Sequence, residues 1–332
     1  MNRRDLGTSG LSITAVGFGS WAAGGGGWAF GWGPQDDDAT VDAIVHAAGL
    51  GVNWIDTAGV YGLGHAEEVV GRAVAQIPAS ERPLIFTKGG MTWDPNDRTA
   101  VALRVSKPES LRNDIETSLR RLGVDTIDLF QIHWPDDYGV PVEESWGEMA
   151  RFVDEGKARF IGVSNYGVEL LQRCEAVRHV DSLQPPLSMI NRVSAGTVIP
   201  WAAEHGIGVI VYSPMQNGIL TDSFTRARVE AMAEDDWRRR NRAFNEPELS
   251  KNIALRDALV PIARRHSTSV SAVALGWAQA WPGVSATIVG ARSPEQVDGW
   301  IGGGSIELTA ADLDEIARAI ERTQAGQGPI RR

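Results

Sequence analysis

Four residues join proton-handling or charged side chains to a regular placement: Asp56, Tyr61, Lys88 and His133. Asp56 closes the run Val52-Asn53-Trp54-Ile55, Lys88 closes Leu84-Ile85-Phe86-Thr87, and His133 closes Leu129-Phe130-Gln131-Ile132. Tyr61 lies in the loop just after Asp56. A phenol with a pKa near 10 is a poor acid at neutral pH. A lysine ammonium beside the hydroxyl favours the phenolate by charge, and a histidine adds a hydrogen bond. A carboxylate paired with that lysine keeps it charged and oriented in a partly dry site. The expected chemistry is a tyrosine that protonates a carbonyl oxygen as hydride reaches the carbon, with His133 holding and polarising the carbonyl. Each residue alone has a structural reading: Asp56 caps a turn, Lys88 snorkels to solvent, His133 hydrogen-bonds within the fold. Four of them on consecutive strand ends favour the chemical one.

The elements that must position them alternate short apolar runs with amphipathic stretches. Strand-like segments fall at residues 15–19, 52–57, 84–88, 126–133, 160–164, 182–184, 208–212 and 286–290. Most are continuously apolar, as parallel strands covered on both faces are. Between them, Ser106-Lys107-Pro108-Glu109 reads as a capping box, followed by Leu111, Ile115, Leu119 and Leu122 at helical spacing and stopped by Gly123. Thr309 and Asp312 open a last helix with Leu313, Ile316, Ala317 and Ile320 on its apolar face. Eight such units predict a closed (β/α)8 barrel with reactive groups at the C-terminal strand ends. The rival, an open doubly wound sheet, wants a G-x-G-x-x-G turn after its first strand, and Ser20-Trp21-Ala22-Ala23-Gly24 is not one. Gly62-Leu63-Gly64 lacks the third glycine. Residues 4–14 read as a hairpin around Thr8-Ser9-Gly10, outside the barrel count and capping its bottom. Residues 1–332 are expected to form one domain. Two long loops, 20–35 and 215–252, are expected at the active-site rim. The second carries Trp237-Arg238-Arg239-Arg240 behind Glu234-Asp235-Asp236 and reads as a lid.

Composition narrows the class. The 332 residues are 43% apolar and 22% charged, with a net charge of −10, which suits a soluble enzyme and argues against a nucleic-acid or anionic-membrane surface. Cys174 is the one cysteine, so no internal disulfide forms and a reducing, cytoplasmic setting is expected. No apolar segment follows the charged start, so no signal peptide is expected, and no run reaches the roughly 20 residues of a membrane span. Six histidines without an H-x-H or H-x-x-x-H pair make a metal site unexpected. No Tyr-x-x-x-Lys follows any tyrosine, which sets aside a short-chain reductase.

Asp56-Thr57-Ala58 with Tyr61, then Thr87-Lys88, then Gln131-Ile132-His133-Trp134-Pro135 resemble the signature of the aldo-keto reductases, and the resemblance runs from the hairpin to Gly290-Ala291-Arg292. It implies Tyr61 as general acid/base, Lys88 and Asp56 as its tuning pair, and His133 as the group orienting a small carbonyl substrate. It also implies a nicotinamide cofactor. Ser164, Asn165 and Gln184 would bind the carboxamide, and Tyr212-Ser213-Pro214 would stack on the ring. The loop with Gly218 and Leu220 would hold the pyrophosphate, and Gly290, Arg292 and Gln296 the adenosine end. Arg292 beside a helix start favours NADP(H), with NAD(H) possible. Where many relatives carry an adenine-contacting Glu-Asn pair, this chain has Gly299-Trp300, and Trp300 offers a ring for stacking instead. Of twelve tryptophans, Trp21, Trp28, Trp32, Trp93 and Trp134 follow strands and are expected at the rim; Trp146, Trp277 and Trp281 have core spacing. Trp21, Trp93 and Trp134 are expected to wall a substrate pocket for an aldehyde, ketone, quinone or sugar. The alternative function is a redox-sensing binding protein with slow catalysis, like the potassium-channel β subunits that resemble this family. The oligomeric state is left open.

Overall fold

A side-chain period of two decides which residues fill a barrel and which face its helices. The computed structural model describes residues 1–234 and 236–332; Asp235, in the acidic stretch before Trp237, lies outside the described residues. Eight parallel strands close on themselves: β1 Val16–Gly19, β2 Trp54–Asp56, β3 Leu84–Gly89, β4 Ile127–Ile132, β5 Ala158–Ser164, β6 Ser182–Gln184, β7 Gly208–Val211 and β8 Val284–Gly290, which pairs back onto β1. Trp54, Phe86, Leu129, Ile210 and Ile288 form one buried interior cluster. The alternate residues Ile55, Ile85, Phe130, Val209 and Val289 join the larger cluster with the helices. One step of two beyond Trp54, Phe86 and Leu129 come Asp56, Lys88 and Gln131, and a further step from Gln131 is His133. Strand parity therefore lifts the polar residues to the C-terminal mouth above an apolar interior.

The shell is α1 Asp37–Gly49, α2 His65–Gln76, α3 Pro108–Leu122, α4 Val142–Asp154, α5 Val168–Glu175 and α6 Val198–Glu204 after the first six strands. Between β7 and β8 come α7 Arg226–Glu230, α8 Glu248–Arg265 and α9 Val270–Gln279, and after β8 come α10 Pro294–Asp298 and α11 Ala310–Thr323. The expected cap of α11 is present: the Asp312 N–H donates to the Thr309 hydroxyl at 3.2 Å and the Thr309 N–H to the Asp312 carboxylate at 2.9 Å. The expected capping box at Ser106 is not. Lys107 is the N-cap, extended at φ −61, ψ 143, with Pro108 in the first turn. A residue before proline is pushed out of the helical region, so the helix cannot begin at Lys107. Ser106 instead donates its N–H to Asp136 at 2.7 Å.

The N-terminal hairpin pairs Arg3–Asp5 with Ser12–Thr14. Its Leu6, Leu11 and Ile13 enter the interior cluster with Trp54, so it closes the barrel bottom. Gly7 is required there: at φ +56, a Cβ would stand 2.3 Å from the Gly208 nitrogen. A second hairpin, Met91–Thr92 with Leu103–Arg104, was not legible in the sequence. The loop expected over 215–252 is broken into short helical pieces, Gln216–Gly218, α7, Trp237–Arg240 and Arg242–Phe244, and α8 begins inside it. Because Leu6 is fully buried in the plug, Leu6→Ala is expected to lower stability by about 2–5 kcal/mol in urea unfolding. A loss under about 1 kcal/mol would contradict the plug.

Candidate active site

The structure brings the four expected residues together. Lys88 Nζ donates to Asp56 Oδ2 at 2.6 Å and to the Thr57 carbonyl at 2.9 Å, with both side chains of the pair buried. Gln184 Nε2 donates to the other Asp56 oxygen at 2.9 Å. Lys88 Nζ stands 5.3 Å from the centre of the Tyr61 ring, and His133 meets that ring edge-on at 5.6 Å. Tyr61 sits in a tight turn after β2, where Leu63 is left-handed at φ 60 and Gly64 at φ 105.

Burial sets the electrostatics. It pushes the Asp56 carboxyl up and the Lys88 ammonium down, and their mutual contact opposes both shifts. Burial also raises the Tyr61 phenol well above its ordinary value, with Asp56 and Tyr212 adding to the rise. This corrects the expectation that Lys88 favours the phenolate: its charge is cancelled by Asp56 at contact distance, and desolvation wins. The His133 imidazole is driven down, first by burial and then by Lys88 and Arg104. The resting site is thus a phenol beside a neutral imidazole, both able to donate a hydrogen bond.

The residues expected at the nicotinamide lie on the same mouth. Asn165 Nδ2 donates to the His133 carbonyl at 3.1 Å and to the Ser164 hydroxyl at 3.0 Å. Its Oδ1 accepts from the Tyr212 hydroxyl at 2.8 Å, and Ser164 donates to the Gln184 carbonyl at 2.8 Å. Among the described residues the Gln131 amide nitrogen is buried without a partner while Gln184 contacts its oxygen at 3.4 Å. An orphaned donor beside two further amides fits the amide end of a nicotinamide. Of the seven described non-glycine residues at positive φ, five (Leu63, Asn165, Ser213, Gln216 and Asn217) lie in the loops after β2, β5 and β7, where strain is concentrated. Gly290 pairs with Gly19 as exposed backbone on the rim.

Other expected cofactor residues are engaged within the fold. Leu220 is fully buried, and the N–H groups of Gly218 and Leu220 bond to the Met215 carbonyl within their own loop, so neither faces outward to a pyrophosphate. Pro214 is likewise buried. Trp300 is buried in the main core and cannot stack on an adenine, because α10 turns it inward. Arg292 binds Gln35 through Nε and the Pro34 carbonyl through Nη2, and its N–H donates to Gln296 Oε1 at 3.0 Å. Burial, then the charges of Arg238 and Arg228, lower its pKa.

The sequence profile of the Aldo/keto reductase family matches residues 15–321. The chain belongs to the aldo-keto reductases. Aldo-keto reductase YhdN of Bacillus subtilis (strain 168) is 31% identical over 97% of this chain and 95% of that protein. The NADH-specific methylglyoxal reductase of Escherichia coli (strain K12) is also 31% identical, over 97% of this chain and 100% of its own. The solved structure of the glycerol dehydrogenase AKR11B4 from Gluconobacter oxydans superposes with a TM-score of 0.88 at 34% identity, over 98% of this chain and 97% of that one. The chain is therefore an oxidoreductase of a family that uses nicotinamide cofactors. No helix among the described residues is long and apolar enough to cross a membrane, and no group of potential metal ligands is found among them.

The aromatic wall of this reductase differs from the expected one. Trp21 stacks on Tyr61 at 6.1 Å, but its other neighbours are Trp32 at 5.4 Å and Trp237 at 5.4 Å. Trp237 was visible in the sequence only as part of a charged loop; that it reaches the mouth depends on a contact between two distant loops. Trp134 lies next to His133 with the Arg104 guanidinium 4.2 Å over its ring. Trp93 packs apart from Trp21, with Val60, Met91 and Ala102, and lines a cavity of about 70 Å³ shared with Lys88, Asp114 and Arg121.

Asp114 accepts the Gly90 N–H at 2.8 Å, and burial, with Glu67 nearby, pushes its carboxyl up to about 7. An unfolded aspartate titrates near 3.9. Between about pH 4 and 7 the folded chain holds a proton that the unfolded chain has lost, so this group's stabilising contribution falls as pH rises. Asp114→Asn is expected to gain in urea midpoint over the wild type on going from about pH 5 to pH 8. A pH-independent difference would contradict the burial of this charge.

Proposed function

We propose that this aldo-keto reductase reduces a small aldehyde or ketone to its alcohol with NADP(H), and that Tyr61 gives the carbonyl oxygen its proton. The observation that carries the reading is the Tyr61 phenol at the barrel mouth, with Lys88 Nζ 5.3 Å from its ring centre and His133 edge-on to it at 5.6 Å. The Asp56–Lys88 pair brings almost no net charge, so it fixes the phenol in place without ionising it. As the phenol hands its proton to the carbonyl oxygen, the pair keeps the ring in position. Neutral His133 donates to the same oxygen and orients it.

When bound, the reduced nicotinamide supplies the hydride that the carbonyl carbon takes up. Ser164, Asn165 and Gln184 would hold its carboxamide, and the Tyr212 ring would bear on its face. Arg292, just before the start of α10 at Pro294, supports a 2′-phosphate, hence NADP(H). That similar proteins are named for glycerol and methylglyoxal supports a small oxygenated substrate.

Tyr61→Phe is expected to lower kcat by a factor on the order of 10²–10⁴ while NADPH still quenches protein fluorescence at the same concentrations; full activity would contradict Tyr61 as the acid. If the wild type binds NADPH but turns over no carbonyl, the redox-sensing alternative gains. Arg292→Ala is expected to raise the KM for NADPH by about 10–100-fold and leave that for NADH nearly unchanged. Equal changes for both cofactors would contradict the phosphate assignment.

A further inference from the structure

The backbone that carries Tyr61 is strained, and charged side chains hold it from several directions. The turn Tyr61–Gly64 passes through Leu63 at φ 60, a left-handed conformation that persists only where the surroundings impose it. Arg98 Nη2 donates to the Gly62 carbonyl at 3.2 Å. The Arg121 guanidinium lies against Gly64, where a Cβ would stand 2.4 Å from its Cζ. Three residues further on, Glu67 is fully buried in the first turn of α2. Its carboxylate accepts the Thr87 hydroxyl at 2.7 Å and Arg121 Nη1 at 3.2 Å, and Ser118 bonds to it as well. One carboxylate thus joins the helix that continues the Tyr61 turn to β3, at the residue before Lys88, and to α3.

We propose that Glu67, paired with Arg121, is a positioning residue: it fixes the turn that carries Tyr61 against the strand that carries Lys88. The inference rests on Tyr61 as the acid of the reductase reading and adds what holds that acid in place. Close packing does not do so alone. The segment before the turn borders the cavity of about 70 Å³, lined by Gly59, Val60, Lys88, Trp93, Asp114 and Arg121, so this flank is not filled by apolar side chains. An apolar pair of the same volume would hold α2 to α3 at least as firmly as a buried ion pair does. What the carboxylate adds is direction, because Oε1 is bonded to Thr87 of β3 and Oε2 to Arg121 of α3. A misplacement of about 1 Å costs a reacting group on the order of 10² in rate. The residues proposed for the cofactor lie on β5 to β8 and the loops after them, so loss of this cluster acts on turnover rather than on cofactor binding.

Glu67→Gln keeps an acceptor for Thr87 and removes the charge that Arg121 meets, while Arg121→Met keeps a stem against Gly64 and removes the guanidinium. With propanal as substrate and saturating NADPH, each is expected to lower kcat by about 10–100-fold, with NADPH quenching protein fluorescence at the wild-type concentrations. Residues that act as one unit are not additive, so the double variant is expected to be about as slow as the slower single one rather than slower by the product. Wild-type kcat in either folded variant, whatever its urea midpoint, overturns the inference, and so does an equal loss of NADPH affinity. If neither buried variant folds, Arg98→Ala at an exposed position decides: a lowered kcat with NADPH binding intact supports the inference, and an unchanged kcat overturns it. Full activity in Tyr61→Phe, or no carbonyl turnover by the wild type, overturns the reductase reading and the inference with it.

Discussion

The site depends on one buried ion pair. Lys88 and Asp56 lie 2.6 Å apart with almost no exposure, in a position where either charge alone would be strongly disfavoured. The Thr57 carbonyl and the Gln184 amide take up remaining valences of the pair, so it is held from β2, β3 and β6 at once. It sits directly above the apolar interior of Trp54, Phe86 and Leu129, all fully buried. Strand parity enforces that layering, since Asp56, Lys88 and Gln131 are each two residues beyond one of those core side chains.

From that pair follow the states of its neighbours. Its net neutrality leaves burial to decide the Tyr61 phenol, which stays protonated, and burial is also the first cause that drives the His133 imidazole down. Around them Ser164, Asn165, Gln184 and Tyr212 bond to one another, a network that a nicotinamide amide would have to enter by exchange rather than by filling open space. The mouth is covered by indole rings whose N–H groups remain unmet. A buried, hydrogen-bonded ion pair thus supports an under-paired rim, which is the distribution expected of a site that completes itself on its ligands.

Much of this was legible in the sequence, because it rests on local rules. Apolar runs ending in a polar residue marked β2, β3 and β4, and Thr309 with Asp312 marked the start of α11. What was not legible depends on long-range packing. Trp237 reaches Trp21 only because two loops meet. Leu220 and Trp300 turn inward for reasons that no short pattern carries. Ser106 fails as a cap because Pro108 constrains Lys107, a rule present in the sequence but overridden in the reading by the capping-box pattern. The sign of the Tyr61 shift is not legible in the sequence because it is a balance between a cancelled charge and burial, and only the structure gives the burial.

The most direct test is a spectroscopic titration of Tyr61 itself, taken as the phenolate absorbance of the wild type minus that of Tyr61→Phe. A phenol held protonated by burial beside a charge-cancelled lysine gives no difference signal until the pH exceeds about 10, the ordinary tyrosine value. A phenolate signal assigned to Tyr61 near neutral pH would show that Lys88 acts as an uncancelled charge, and would contradict the account.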